Sequence, residues 1–215
     1  MTENFEVQYD ITKKSKFKKF YESNKVLIYS FTSIILILFI IFNLYLDNKE
    51  KKKISLSENY VEAKIYLESG NKDEAIKILK DIIFTNDPTY SSLSLFLLVN
   101  QNLINENKEL SDLFEHLLNN NTFTDEMRNL LIYKKALLNS DLFDESELLE
   151  SLKPLLTNDE TVWKAHALLL LGDYFMSKGE NIKAIEFYQK IFDIKNLHAD
   201  LYNHARVQLT IISNE

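Results

Sequence analysis

The chain of 215 residues contains no cysteine. Disulfides, thiol nucleophiles and cysteine-based metal sites are therefore excluded. Only three glycines and two prolines punctuate it. That is too few for the turns of an all-β domain or for a glycine-rich loop that cradles phosphate. No G-x-S-x-G, P-loop, G-x-G-x-x-G or H-E-x-x-H pattern occurs. The four histidines, His116, His166, His198 and His204, form no H-x-x-x-H pair. Asp200 and His204 are four apart and share a helix face, which reads as a surface charge pair rather than half a metal site. The acidic stretch Asp141-Leu142-Phe143-Asp144-Glu145-Ser146-Glu147 reads as a turn and a helix N-terminus, where carboxylates suit the helix dipole. The chain is expected to be no enzyme and to carry no cofactor or metal.

Charge is also missing from one long stretch. Residues 26–46, VLIYSFTSIILILFIIFNLYL, are uncharged and almost wholly apolar. At about 1.5 Å per residue such a helix is roughly 31 Å long, enough for a bilayer core of about 30 Å. It exceeds a secretory h-region and lacks a small-residue cleavage site. A buried core helix of that length and uniformity is the competing explanation. The predicted organisation is a basic tail (1–25), a transmembrane helix (26–46), a juxtamembrane linker (47–57) and a polar domain (58–215).

Six lysines precede the span (Lys13, Lys14, Lys16, Lys18, Lys19, Lys25) and four follow it (Lys49, Lys51, Lys52, Lys53). The positive-inside rule places the tail in the cytoplasm. Phe17, Phe20 and Tyr21 fall on one helical face among Lys13, Lys14, Lys16, Lys18 and Lys19. This segment is either a surface that lies on anionic lipid or a plain topology signal. From Ile54 onward there are 15 Lys and Arg against 26 Asp and Glu, a net charge of −11. Such a domain lacks the basic face that nucleic acid requires.

Breaks rich in Asn, Asp, Ser and Gly divide the polar domain into helical segments at regular intervals, near residues 69–71, 85–88, 105–107, 119–121, 139–141, 157–159, 178–180 and 195–197. That is the pattern of an α-hairpin array. Two hairpins align without a gap at an offset of 109 positions. One carries Ala63, Tyr66, Gly70, Ala75, Leu79 and Ile82; the other carries Gly172, Phe175, Gly179, Ala184, Tyr188 and Ile191. Ala63 and Gly172 are small where helices cross, Tyr66 and Phe175 fill the gap between paired helices, and Gly70 and Gly179 end the first helix where φ > 0 is wanted. Ala75 and Ala184 let the second helix approach. In the middle hairpins, 88–119 and 125–157, Leu98, Leu110 and Tyr133 replace the expected small residues. Those units are expected to pack with wider or irregular spacing. A last helix, about 198–212, caps the stack.

The spacing resembles the tetratricopeptide repeat, best over residues 168–191 with Leu171-Gly172, Phe175, Gly179, Ala184 and Tyr188. The expected fold is all-α: one N-terminal transmembrane helix, then a tetratricopeptide-like α-hairpin solenoid with a C-terminal capping helix. The full layout is a basic tail with Phe20-Tyr21-Glu22-Ser23-Asn24-Lys25, one span, then A-x-x-Y-(x)3-G-(x)4-A. It is similar to the YfgM-like ancillary subunit family of the bacterial Sec translocon. The resemblance implies an inner-membrane protein with a cytoplasmic tail and a periplasmic repeat domain. Its implied partners are Sec translocon subunits, periplasmic chaperones or exported chains.

The first helix of each hairpin is expected to line a binding groove. By repeat position Tyr60, Lys64 and Leu67 face it in the first unit, and His166, Leu169, Asp173 and Met176 face it in the last. Leu169 and Met176 have a competing role, packing against the capping helix. The expected function is a membrane-anchored protein-binding adaptor of export. The alternatives are a scaffold for another envelope assembly (cytochrome maturation, cell division or outer-membrane protein insertion) or a regulator acting through its tail.

Overall fold

The computed structural model describes residues 16–157, 162–195 and 197–214. Among them the chain is helical throughout, without strands: α1 (Lys16–Glu68), α2 (Lys72–Phe84), α3 (Pro88–Asn100), α4 (Asn107–Asn120), α5 (Asp125–Asn139), α6 (Glu145–Leu156), α7 (Trp163–Ser177), α8 (Asn181–Phe192) and α9 (Ala199–Ser213). The chain divides into two compact units, 1–55 and 56–215.

Among the described residues, one helix segment, in α1, is long and apolar enough to cross a membrane, and 0% of that window is buried. A core helix would be covered by its own protein, so the competing explanation loses its support. Residues 47–57, expected as a linker, continue the helix. Their lysines and acids sit at helix-compatible spacing, and Lys51 bonds Asp47 one turn back at 2.7 Å.

The second unit is the hairpin stack. Its repeat ends are built alike. Gly70 (φ 82°) and Gly179 (φ 74°) adopt the left-handed conformation. Each closes a Schellman motif: Gly70 N–H donates to Leu67 O and Asn71 N–H to Tyr66 O, while Gly179 N–H donates to Met176 O and Glu180 N–H to Phe175 O. The middle hairpin reaches the same geometry without glycine. Asn102 (φ 48°) donates to Val99 O, and Leu103 N–H to Leu98 O. Asn tolerates this conformation better than other non-glycine residues.

The six aligned positions behave alike in both hairpins. Ala63, Ala75, Leu79 and Ile82 are buried, as are Gly172, Phe175, Ala184, Tyr188 and Ile191; Tyr66 is half-buried. The sequence reading missed the small residues of the middle repeats. Ser91, Ser92 and Ser94 of α3 are all buried. The Ser91 hydroxyl donates to Ile82 O and Ile83 O at 3.0 Å. A small side chain that also satisfies the last carbonyls of α2 does the work expected of alanine. Leu98 and Leu110 fill the core beside it.

The buried residues form two clusters. One joins α1 to α4 and Leu131 of α5; the other joins Ala136 of α5 to α6–α9. The tightest crossing is α7 with α8. A Cβ on Gly172 would sit 2.6 Å from Cδ1 and 2.8 Å from Cζ of Tyr188. The Tyr188 ring is fully buried, and its hydroxyl donates to Asp173 at 2.7 Å. Gly172→Ala is therefore expected to destabilise the full chain by about 1–3 kcal/mol through overpacking, read as a lower denaturation midpoint. The cost should shrink in a Tyr188→Leu background, because the double-mutant coupling isolates this one contact.

Candidate protein-binding surface

The candidate surface lies on the first helices of the C-terminal repeats. Here α5 touches α7 and α7 touches α9, whereas in the N-terminal half the second helices α2 and α4 touch. The row of first helices is thus closely packed from α5 onward.

On α7, Trp163 and His166 are one turn apart and meet Tyr133 of α5. The ring centroids are 5.2 Å apart for Trp163–His166, 5.6 Å for Tyr133–Trp163 and 5.5 Å for Tyr133–His166. Trp163 Nε1–H donates to Glu126 at 3.2 Å, which fixes the indole. All three rings are half-buried. Clustered aromatics of this kind, rigid and partly covered, are the side chains that carry binding energy at protein interfaces.

Two turns beyond His166, Asp173 is the polar centre. It accepts from Tyr188 of α8 and lies 3.5 Å from Nε2 of His204 on α9. Burial, followed by the Asp173 hydrogen bond, pushes the Tyr188 hydroxyl far above its ordinary pKa and keeps it a donor. Tyr133 is likewise raised, first by burial and then by the Asp173 charge. His166 is shifted down from its ordinary value of 6.5, first by burial and then by His198 and Lys134. His204 faces Asp173, and Asp200 instead approaches His198 at 3.4 Å. The expected Asp200–His204 pair is thus replaced by two pairs, one of which ties the capping helix to α7.

The structure separates the seven expected groove residues. His166 and Asp173 belong to this surface. Leu169 is only 9% exposed and lies in the core, and Met176 packs against the same core with its sulfur 3.7 Å from the Tyr188 hydroxyl. Tyr60 leans on Tyr90 (centroids 6.4 Å apart) and packs against the first core cluster. Lys64 is exposed and Leu67 half-buried. Sequence reasoning did not select Trp163 or Tyr133, although the chain's single tryptophan at a first-helix start was a usable signal. Of the tail residues, Lys13 and Lys14 lie outside the described residues, as do the side chains of Lys16, Phe17, Lys18 and Lys19; Phe20 and Tyr21 are exposed. Among the described residues no three His, Asp or Glu side chains could hold a metal ion.

A family model described as a tetratricopeptide repeat-like domain matches residues 18–211. The chain belongs to that family. The match takes in the apolar helix together with all the hairpins. No curated protein matches the chain, and no solved structure matches it.

The depressed pKa of His166 has a definite sign. Well above pH 6.5 the imidazole is neutral in both folded and unfolded chains and contributes no pH dependence. As pH falls through 6.5, the unfolded chain takes up the proton first, so stability drops, and the loss levels off once the folded side chain is protonated. Urea unfolding followed by Trp163 emission should show a steeper decline below pH 6.5 for the native chain than for His166→Gln.

Proposed function

We propose that this protein is a single-pass, membrane-anchored adaptor with no catalytic role, which binds other proteins through the aromatic face of α5 and α7. The reading is carried by one observation: a repeat domain of a protein-binding family displays Tyr133, Trp163 and His166 as a fixed aromatic cluster. Residues 26–46 cross the bacterial inner membrane, with the lysine-rich tail in the cytoplasm and the hairpins in the periplasm. The lysine excess before the span supports this orientation.

The partners fitting the layout are Sec translocon subunits at the span and periplasmic chaperones or exported chains at the repeats. Similarity to the YfgM-like subunits supports them. The acidic domain (net −11 from Ile54 onward) favours partners whose docking surface is basic or apolar.

The test is photocrosslinking in membranes from probes at Phe39 in the span and His166 on the aromatic face. Leu169 is unsuitable as a probe site because it is buried. Translocon subunits from Phe39, with chaperones or exported chains from His166, are the expected adducts. Subunits of a different envelope complex at both positions would overturn the export assignment. Trp163→Ala should lower the yield of repeat-domain adducts from a probe at His166 by tenfold or more, the order of magnitude expected of an interface hot spot of about 2 kcal/mol.

A further inference from the structure

The helix that carries the span is interrupted once. Asn24 has φ −118° and ψ 15°, outside helical values, so α1 is two helices joined at a kink. The Asn24 side chain donates to Phe20 O at 3.0 Å, replacing part of the backbone bonding that the kink disturbs. The kink stands two residues before Val26, where the uncharged stretch begins.

The short helix ahead of it, residues 16–23, reads KFKKFYES. In sequence, Phe17, Phe20 and Tyr21 fall at i, i+3 and i+4, the spacing of one helical face, with Lys16, Lys18 and Lys19 interleaved. Among the described residues, Phe20 is 63% and Tyr21 44% exposed. Tyr21 reaches over the kink to Tyr29, edge to face with centroids 6.3 Å apart.

A straight helix would carry Phe17, nine positions before Val26, about 13 Å beyond the end of the hydrocarbon. Its aromatics would then stand in water. A bend at Asn24 lets the same face turn down to the depth where aromatic side chains are most stable. The lysines then lie at the level of lipid phosphates.

We propose that residues 16–23 form a surface-lying helix that binds anionic phospholipid, with Asn24 as the bend between it and the span. Charge complementarity selects the lipid: residues 16–25 carry Lys16, Lys18, Lys19 and Lys25 against one acid, Glu22. The proposal rests on the assignment of residues 26–46 as a membrane span.

The absence of native cysteine makes the test direct. The full chain carrying Phe17→Cys is labelled with a fluorophore. It is reconstituted in vesicles of phosphatidylcholine, with or without a large fraction of phosphatidylglycerol. Neutral aqueous and lipid-borne quenchers then report the depth of the label. The label should be buried in the phosphatidylglycerol vesicles and water-exposed in the others. Replacing Lys16, Lys18 and Lys19 by Gln should weaken the surface-bound state on the order of 100-fold. Asn24→Leu, which favours a straight helix, should return the label to water. A label that stays exposed in both vesicle types, in a chain that resists alkaline extraction, overturns the proposal alone. Equal burial in both types overturns anionic recognition. A chain that alkaline extraction removes overturns the span itself, and the proposal with it.

Discussion

The C-terminal repeat depends on the close approach of its two helices, α7 and α8. A hairpin cannot bury its own apolar face, so its second helix must come near enough for a large side chain to fill the space left by a small one. Gly172 under Tyr188 is the tightest instance. The ring occupies the room of an absent Cβ, and its hydroxyl must then find a partner inside the protein. Asp173 provides it. Asp173 also approaches His204, so the same residue links α7 to the capping helix, which is otherwise held by Ala205 and Ile212 in the core.

The same residue links architecture to the candidate surface. Asp173 lies on the helix that displays Trp163 and His166, and its charge is felt at Tyr133. The aromatic cluster is therefore held by the core beneath it rather than by a loop. Rigid placement lowers the entropy lost when a partner docks. The surface is half-buried and aromatic within a domain that is otherwise strongly acidic. That contrast distinguishes it from the rest of the solvated exterior.

The two units follow different burial rules. From residue 56 the hairpins bury their apolar faces, and side-chain caps close the N-termini of α2, α3, α5, α6 and α9. Residues 26–46 reverse the rule, presenting only uncharged and mostly apolar side chains outward. Two polar side chains of that stretch turn inward to their own backbone: Thr32 donates to Ile28 O at 2.8 Å and Asn43 to Phe39 O at 2.8 Å. Such internal bonding is what a helix in hydrocarbon requires, since no water is available to satisfy those groups.

The sequence by itself determined whatever depends on local stereochemistry and composition. The helical breaks, the left-handed glycines 70 and 179, the matched small positions and the uncharged stretch are of this kind. Each is enforced by one residue or by a few close along the chain. Sequence reading failed where another residue type met the same demand, as with the serines of α3 and Asn102, because the demand is for small size or tolerance of positive φ and not for glycine or alanine as such. Only the tertiary structure decided which faces remain free. Leu169 and Trp163 begin as equivalent apolar residues of one helix. The first is buried because α7 is covered by its neighbours there, while the second meets Tyr133 across the repeat boundary. That boundary joins residues thirty positions apart, and their meeting depends on the angle at which successive hairpins stack, a quantity that no local pattern encodes.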